Sequence, residues 1–241
     1  MKPLYLPAFA ALAVLAACSQ PAANKAAEPD ANASAAAPAA APAADPNSIA
    51  AGAYKVDASH TSVTFTVSHL GFSNYTGQFE KVEINANLDP ANPANSTVEA
   101  TIDPRSLSIP SPPAGFVAEL IGPQWLDAAR FPAITFKSTK VEPTGPNTAK
   151  VTGDFTLHGV TKPLTLEVVF NGGWKGIDMD PNARAGFSAT GSFKRSDFGV
   201  AYGVPAPGTT MGVGDEVKVA IEAELTGPPL APAAAAAPAA K

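Results

Sequence analysis

Three side chains that together could carry out nucleophilic hydrolysis lie within six positions of one another: Asp57, His60 and Ser62. A hydrolase of this kind needs a nucleophile, a base and an orienting carboxylate in contact. Ser62 does not lie in a Gly-x-Ser-x-Gly elbow, and no neighbouring sequence implies an oxyanion donor. We therefore predict no catalytic residues and expect that the protein is not an enzyme. His60 is expected to brace the turn beside Asp57.

A metal site would have to draw on the three histidines, His60, His69 and His158. His60 and His69 are nine residues apart, so on one continuous strand they would face opposite sides. Neither cysteines nor clustered carboxylates complete a four-ligand shell. The sequence therefore predicts no metal and no cofactor. His69 shares the parity of Val63, so it is expected to point inward, where it meets a ligand headgroup or a backbone group.

Two further motifs match known catalytic patterns only in part. Asp197-Phe198-Gly199 has the letters of a kinase triplet, but the glycine-rich and catalytic loops of a kinase are missing from the sequence. The glycines 212 and 214 follow no strand–helix pattern of a dinucleotide site. We expect Arg195 and Asp197 to pair with each other or to hold the end of a strand.

Charge composition excludes one class of partner. Charged residues make up 15% of the chain, against about 25% in typical globular proteins. Residues 52–226 contain 13 Lys and Arg against 18 Asp and Glu, which accounts for the whole net charge of −5. A nucleic-acid-binding protein would show a basic surplus or stripe. We therefore predict no nucleic-acid partner.

The elements that must position these side chains are mostly strands. Val63, Phe65 and Val67 alternate with polar residues, which is the period-two pattern of a half-buried strand. The same pattern predicts strands at 54–57, 82–88, 98–102, 134–136, 151–157, 164–170, 187–193 and 217–225. Turn signals separate them, including one at 171–173. Only 115–129 looks helical, and Pro123 is expected to break it. The pattern predicts an all-β antiparallel barrel or sandwich with one short helical segment.

About eight strands with one apolar face favour closure into a barrel, which is wide enough to hold one small ligand or a chain. Several positions on the apolar face are small and would leave room inside: Ala86, Ala100, Gly153, Ala189, Gly191 and Ala223. The alternative is that these small residues complement bulky phenylalanines such as Phe136 and Phe155 in a filled core. Alternation alone does not decide between the two.

Five motifs occur in order along residues 52–226: Tyr54-x-x-Asp57-x-x-His60-x-Ser62-x-x-Phe65-x-Val67-x-His69-Leu70, then Phe131–Ser138, Gly153–Pro163, Phe193–Gly199 and Val213–Val217. Together they resemble the YceI-like family of polyisoprenoid-binding proteins. The resemblance implies a lipocalin-like antiparallel barrel whose apolar interior holds an isoprenoid or similar amphiphilic chain in the bacterial envelope. Residues 108–130 depart from the family, because Pro and apolar residues replace a charged, His-containing stretch. The family's headgroup contacts therefore do not carry over, and a lid role for 108–130 stays open.

A barrel that binds through apolar contact selects long ligands. A prenyl chain that hides about 700 Å² gains on the order of 17 kcal/mol, whereas one that hides about 200 Å² gains roughly 5 kcal/mol. Association costs roughly 4–15 kcal/mol, so only the long chain is held. We predict a quinone-like, polyprenyl or fatty-acyl ligand. Leu120 and Trp125 are expected to close the mouth, and the inward-facing candidates are Val63, Phe65, Val67, His69, Ile134, Phe136, Phe155, Leu157, Phe187 and Phe193. The alternative function is a filled, ligand-free barrel that presents loop 202–211 to a protein partner.

The chain termini predict an envelope address. Lys2 and the apolar run 4–17 have the build of an export signal, and 15–18 resembles a bacterial lipobox in which Cys18 is acylated. Ser19 favours sorting to the outer membrane, with the domain facing the periplasm. A plain secretory signal and a soluble periplasmic protein are the alternative. The Ala- and Pro-rich stretches 19–51 and 227–241 are predicted to be a disordered tether and tail around the domain 52–226. Whether the chain forms a homodimer stays open.

Overall fold

The computed structural model describes residues 44–230, in which alternating side chains build eleven strands and one α-helix. The helix α1 spans Phe116–Leu120, and among the described residues no helix has the length and apolar character needed to cross a membrane. The strands are β1 Gly52–Val56, β2 Ser62–His69, β3 Ser73–Phe79, β4 Val82–Leu88, β5 Thr97–Ile102, β6 Leu107–Ser108, β7 Ile134–Pro143, β8 Thr148–Leu157, β9 Val160–Trp174, β10 Asn182–Lys194 and β11 Val213–Pro229.

The eleven strands occupy eight positions around a closed antiparallel barrel. Three of these positions are each made of two successive strands with a bend between them: β1 with β2, β3 with β4, and β5 with β6. The first two positions are joined by the pairs β1–β4 and β2–β3, and the second and third by β4–β5 and β3–β6. The last strand, β11, closes the barrel by pairing with both β2 and β1: Val219 pairs with Phe65, and Thr226 pairs with Lys55. The predicted all-β, lipocalin-like barrel of about eight strands with one short helix is therefore confirmed.

The connections divide the barrel into two ends. At the first, which we call the helix end, lie the turn at 70–72, the segment 109–133 with α1, the turn at 158–159 and the segment 195–212. At the opposite end lie residues 44–51 and the connections 89–96, 144–147 and 175–181. The two longest connections therefore meet at the helix end.

Two local predictions were wrong. Strand β3 was missed because Gly77 interrupts its apolar face. A Cβ atom at Gly77 would lie 2.5 Å from Cζ of Phe65, so the glycine makes room for that ring. The turn predicted at 171–173 lies inside β9, where the register with β10 shifts between Gly186 and Phe187. Asn171 is the extra residue of a β-bulge, and the chain reverses only after Trp174.

The packed region extends beyond the predicted boundaries of 52 and 226. Ile49 is buried, and the hydroxyl of Tyr54 donates a hydrogen bond to the carbonyl oxygen of Ala50 at 2.7 Å. Strand β11 continues to Pro229. The end of the predicted tether thus packs on the barrel, with Ile49 buried in the core and Ala44 and Ala50 packed against the same cluster. Cys18, the predicted signal peptide, the rest of the predicted tether and the tail from 231 lie outside the described residues.

Candidate functional site

A cavity of about 550 Å³ runs through the interior of the barrel, which is within the range of roughly 300–1,000 Å³ usual for ligand pockets. Its wall is almost wholly apolar, because the inward-facing residues of the strands are Val, Ile, Leu, Phe or Ala with few exceptions. The interior is therefore not filled, in contrast to the ligand-free alternative. All twelve candidate side chains lie on this wall: Val63, Phe65, Val67, His69, Leu120, Trp125, Ile134, Phe136, Phe155, Leu157, Phe187 and Phe193.

Aromatic rings make up part of the wall and pack in two groups. Phe155, Phe193 and Phe198 pack against one another with centroids 5.0–5.4 Å apart. Phe170 and Phe187 form a second pair, at 5.4 Å, in the half of the barrel away from α1. Phe198, in the loop after β10, does not line the cavity itself but packs against the two lining rings of Phe155 and Phe193. The rings offer a broad apolar surface along which a chain can lie.

The small inward residues divide into two groups. Ala86, Ala100, Ala189 and Ala223 line the cavity, as expected for positions that leave room. The two glycines behave otherwise: a Cβ atom at Gly191 would lie 2.7 Å from Cδ2 of Leu166, and the space at Gly153 is similarly occupied. For these two glycines the alternative prediction is therefore correct, because they make room for bulky neighbouring side chains. The cavity exists because of the alanines.

Helix α1 and the residues after it lie across the helix end of the cavity. Phe116 lines the cavity and packs edge-on against Tyr75 of β3, with ring centroids 6.1 Å apart. Trp125 packs edge-on against Tyr202 at 5.4 Å, which joins this segment to the loop before β11. Leu120 lies between these two contacts in sequence and also lines the cavity. Residues 116–126 thus have the placement of a lid, and sequence reasoning missed the two tyrosines that hold it.

Arg195 is the one buried charged side chain of the described region, with 4% exposure. Its guanidinium donates hydrogen bonds of 2.7–2.9 Å to four carbonyl oxygens, which belong to Val200, Tyr202, Val213 and Gly214. The guanidinium also lies 5.1 Å from the ring centroid of the lid tryptophan. Burial lowers the pKa of Arg195. The side chain therefore fastens the 199–212 loop and the start of β11 beneath the lid.

The predicted pair between Arg195 and Asp197 was wrong, and the predicted role at a strand end is confirmed. Asp197 faces outward and lies 3.4 Å from Nζ of Lys162, because the single-turn helix at 195–198 sends the two side chains in different directions. The carboxylate near the guanidinium is Asp215, which accepts hydrogen bonds from the backbone and hydroxyl of Ser196. Backbone carbonyls, not a carboxylate, hold the arginine.

Two of the three residues considered for hydrolysis, Asp57 and His60, belong to an ion-pair cluster outside the cavity. Arg184 lies 2.8 Å from a carboxylate oxygen of Asp57 and 3.3 Å from one of Glu224. The hydroxyl that bonds the Asp57 carboxylate, at 2.6 Å, belongs to Ser59 and not to Ser62. Both that hydroxyl and Asp57 approach the same ring nitrogen, Nδ1 of His60, so the imidazole is not placed between a nucleophile and an orienting carboxylate. The expected bracing role of His60 is confirmed.

The same cluster brings Asp57, His60 and Glu224 close enough to hold a metal ion. The guanidinium of Arg184 already bonds both carboxylates, so a cationic side chain supplies the positive charge that a metal ion would bring. Hydrogen bonds from Ser59, Arg184 and His60 hold the pKa of Asp57 well below its usual range. The cluster therefore stabilises the turn after β1 against β10 and β11.

Comparisons with known proteins agree with this architecture. Residues 54–225 match the YceI-like domain family. The chain is 39% identical over 162 residues to a UPF0312 protein of Pseudomonas putida strain W619, which covers 66% of this chain and 80% of the relative. A UPF0312 protein of Vibrio cholerae serotype O1 is 38% identical over 157 residues, covering 64% and 81%.

Solved structures share the barrel. BcnA of Burkholderia cenocepacia is similar with a TM-score of 0.60 and 27% identity, over 70% of this chain and 98% of that chain. The YceI protein of Campylobacter jejuni has a TM-score of 0.55 and 28% identity, over 66% and 88%. A polyisoprenoid binding domain from Saccharophagus degradans, at 15% identity and a TM-score of 0.53 over 73% and 99%, shares the fold.

Proposed function

The chain belongs to the YceI-like family, and from that premise we propose that its barrel binds a long-chain isoprenoid, a quinone or polyprenyl, or a similar amphiphilic lipid without covalent change. The observation that carries the proposal is the apolar cavity of about 550 Å³. Its wall offers surface contact and few polar groups, which suits binding better than catalysis. The protein would sequester such a lipid or carry it within the bacterial cell envelope.

The shape of the cavity supports an extended ligand. In β11 the inward residues from Val217 to Leu225 all line it. Nine strand residues at about 3.3 Å each, tilted by roughly 40°, extend about 20 Å along the barrel axis. An extended chain fills such a space along its length, whereas a compact ligand would leave most of the wall unused. The barrel fold of the S. degradans domain, described as polyisoprenoid binding, is consistent with this choice.

Acylated Cys18 is proposed to anchor the protein to the outer membrane, facing the periplasm, with a soluble periplasmic protein as the alternative. In both cases the barrel acts in the compartment between the two membranes. Mass spectrometry of the N-terminal peptide from the cell-derived protein tests the anchor: a diacyl or triacyl mass on Cys18 is expected, and an unmodified peptide that begins elsewhere contradicts it.

The binding proposal is tested by filling the cavity. The full chain is purified from its envelope fraction, extracted with organic solvent, and the lipid in the extract is measured per mole of protein by mass spectrometry. Ala223→Phe places a ring in the cavity and should lower the lipid content several-fold, while Ala220→Phe, on the outer face of β11, should not. Equal lipid content in the two variants, or no extractable lipid in the native chain, would overturn the proposal.

A further inference from the structure

Three segments at the helix end contain no Asp, Glu, Lys or Arg: 68–79, 106–118 and 199–214. Residues 52–226 carry 13 basic and 18 acidic side chains in all, and at the opposite end the stretches 90–98 and 143–149 are also uncharged. At the opposite end, the exposed Met179 lies between Asp178 and Asp180. Formal charge is thus absent from these three segments, while Glu119, Asp127 and Asp197 lie in the same connections of the helix end. We call these three segments the uncharged rim.

The segments of the uncharged rim are neighbours in space. The backbone N–H of Leu70 donates to the carbonyl oxygen of Gly212 at 2.8 Å, which joins the first and third segments. Strand β3 pairs with β6, and the Tyr75 ring packs against that of Phe116, which joins the first and second. The rim is therefore one continuous surface around the helix end.

Large apolar side chains stand exposed on this surface. Phe72 is 83% exposed at the tip of the β2–β3 turn, and Met211 is 73% exposed in the adjoining loop. Tyr202, in the same connection as Met211, is half exposed. Exposed apolar clusters of this kind mark interaction surfaces, and tyrosine favours the boundary between lipid and water. The side chains of the rim are therefore suited to insert among lipid headgroups.

The uncharged rim is continuous with the mouth of the cavity. His69, Tyr75 and Phe116 belong to the rim segments and also line the cavity wall. A molecule that passes through the helix end of the barrel would leave onto this surface. The rim thus joins the apolar interior to whatever is bound outside it.

We propose that the uncharged rim docks on a lipid bilayer and that the ligand passes there between bilayer and cavity; the second part rests on the proposed lipid binding. Bacterial envelope bilayers carry anionic lipids, which repel a protein with a net charge of −5. The rim segments carry no acidic side chain and can approach such a surface, and Phe72 and Met211 supply the apolar surface that enters the interface. The opposite end, where acidic residues flank Met179, would be repelled.

Docking is tested with vesicles of phosphatidylethanolamine and phosphatidylglycerol that contain brominated acyl chains, which quench nearby indoles. The two native tryptophans are replaced by phenylalanine in the full chain, and a single reporter is introduced as Phe72→Trp or as the matched Met179→Trp. Both positions are exposed, so a ring of similar character is tolerated. We expect quenching at 72 and none at 179. Equal quenching, quenching only at 179, or none at either position would overturn the proposal.

A second measurement uses the native tryptophans and follows the rate of quinone uptake from the same vesicles. Phe72→Asp should slow uptake by about tenfold, since burial of one phenyl ring is lost, whereas Met179→Asp should leave the rate unchanged. The amount of quinone bound at equilibrium should be the same in all three proteins. Uptake without a difference between the variants overturns docking and leaves lipid binding in place. No uptake by any protein, with quenching at 72 intact, overturns lipid binding and leaves docking in place. A reporter at 72 that responds to protein concentration and not to vesicles would assign the rim to a second copy of the chain.

Discussion

The ring of Phe136 occupies the space that a side chain at residue 153 would need: a Cβ atom built on Gly153 lies 2.5 Å from Cζ of that ring. The two residues belong to neighbouring strands, β7 and β8, and both face the interior. The glycine therefore lets a large aromatic side chain lie flat against the sheet instead of projecting into the cavity. The missing side chain at residue 153 thus keeps the ring of Phe136 out of the cavity.

Gly153→Ala should destabilise the barrel by about 1–3 kcal/mol, because the new methyl group overpacks a rigid wall. The displaced atoms include the backbone carbonyl oxygen of Lys137, which cannot move without disturbing the β7–β8 pairing. The free energy of unfolding in urea measures the effect. Gly186→Ala is the matched control, since its Cβ atom would have no neighbour closer than 3.7 Å. Equal stability of the two variants would show that the ring moves aside without cost.

Arg195→Met should destabilise the protein by about 3 kcal/mol or more, since it leaves several buried carbonyl groups without donors. The methionine keeps much of the aliphatic stem, so the loss reports mainly on the hydrogen bonds to Val200, Tyr202, Val213 and Gly214. Lys162→Met removes an exposed ion pair and should change stability by about 0.5 kcal/mol or less. Thermal unfolding of both variants checks the contrast, and similar losses would refute the fastening role.

Strand parity was sufficient to predict the barrel and most of its wall. Val63, Phe65 and Val67 alternate without interruption, so their inward direction follows from the sequence and from the period of a strand. The parity of His69 likewise predicted that it points inward, and it lines the cavity. Parity failed where a residue's role depends on a partner distant in sequence. Gly77 looked like a break in the pattern because the ring that fills its place lies on another strand.

The helix end was the least predictable part of the site. Tyr202 and Arg195 act there through contacts between loops, and Tyr75 acts through a contact between β3 and α1. No strand periodicity predicts such contacts. Composition still held a signal, since three separate segments without charged residues converge on this end. Their proximity follows only from the order of the strands around the barrel. The bulge that moves the β9–β10 turn also depends on pairing between strands, and a Gly-Gly pair in the sequence does not distinguish it from a turn.

The ion-pair cluster around Asp57 should make stability depend on acid pH with a defined sign. The pKa of this carboxyl is lowered from its ordinary 3.8, first by the hydroxyl of Ser59 and then by Arg184 and His60. The folded state therefore binds fewer protons than the unfolded state in the acid range. The stabilising contribution is complete well above pH 3.8 and is lost as the pH falls through the folded-state pKa. Stability should decline with acidification in the native chain.

Asp57→Asn removes this titration, so the difference in unfolding free energy between the native chain and the variant should be largest near neutral pH and shrink below about pH 4. Asp154→Asn, on the exposed face of β8, corrects for the loss of one negative charge. Urea unfolding at a series of pH values gives both differences. A gap between native and Asp57→Asn protein that stays constant from pH 7 to pH 3 would mean that the carboxylate contributes through shape and neutral hydrogen bonds and not through its charge. Because Arg184 also bonds Asp180 at 2.8 Å, the variant should keep the fold while losing this dependence.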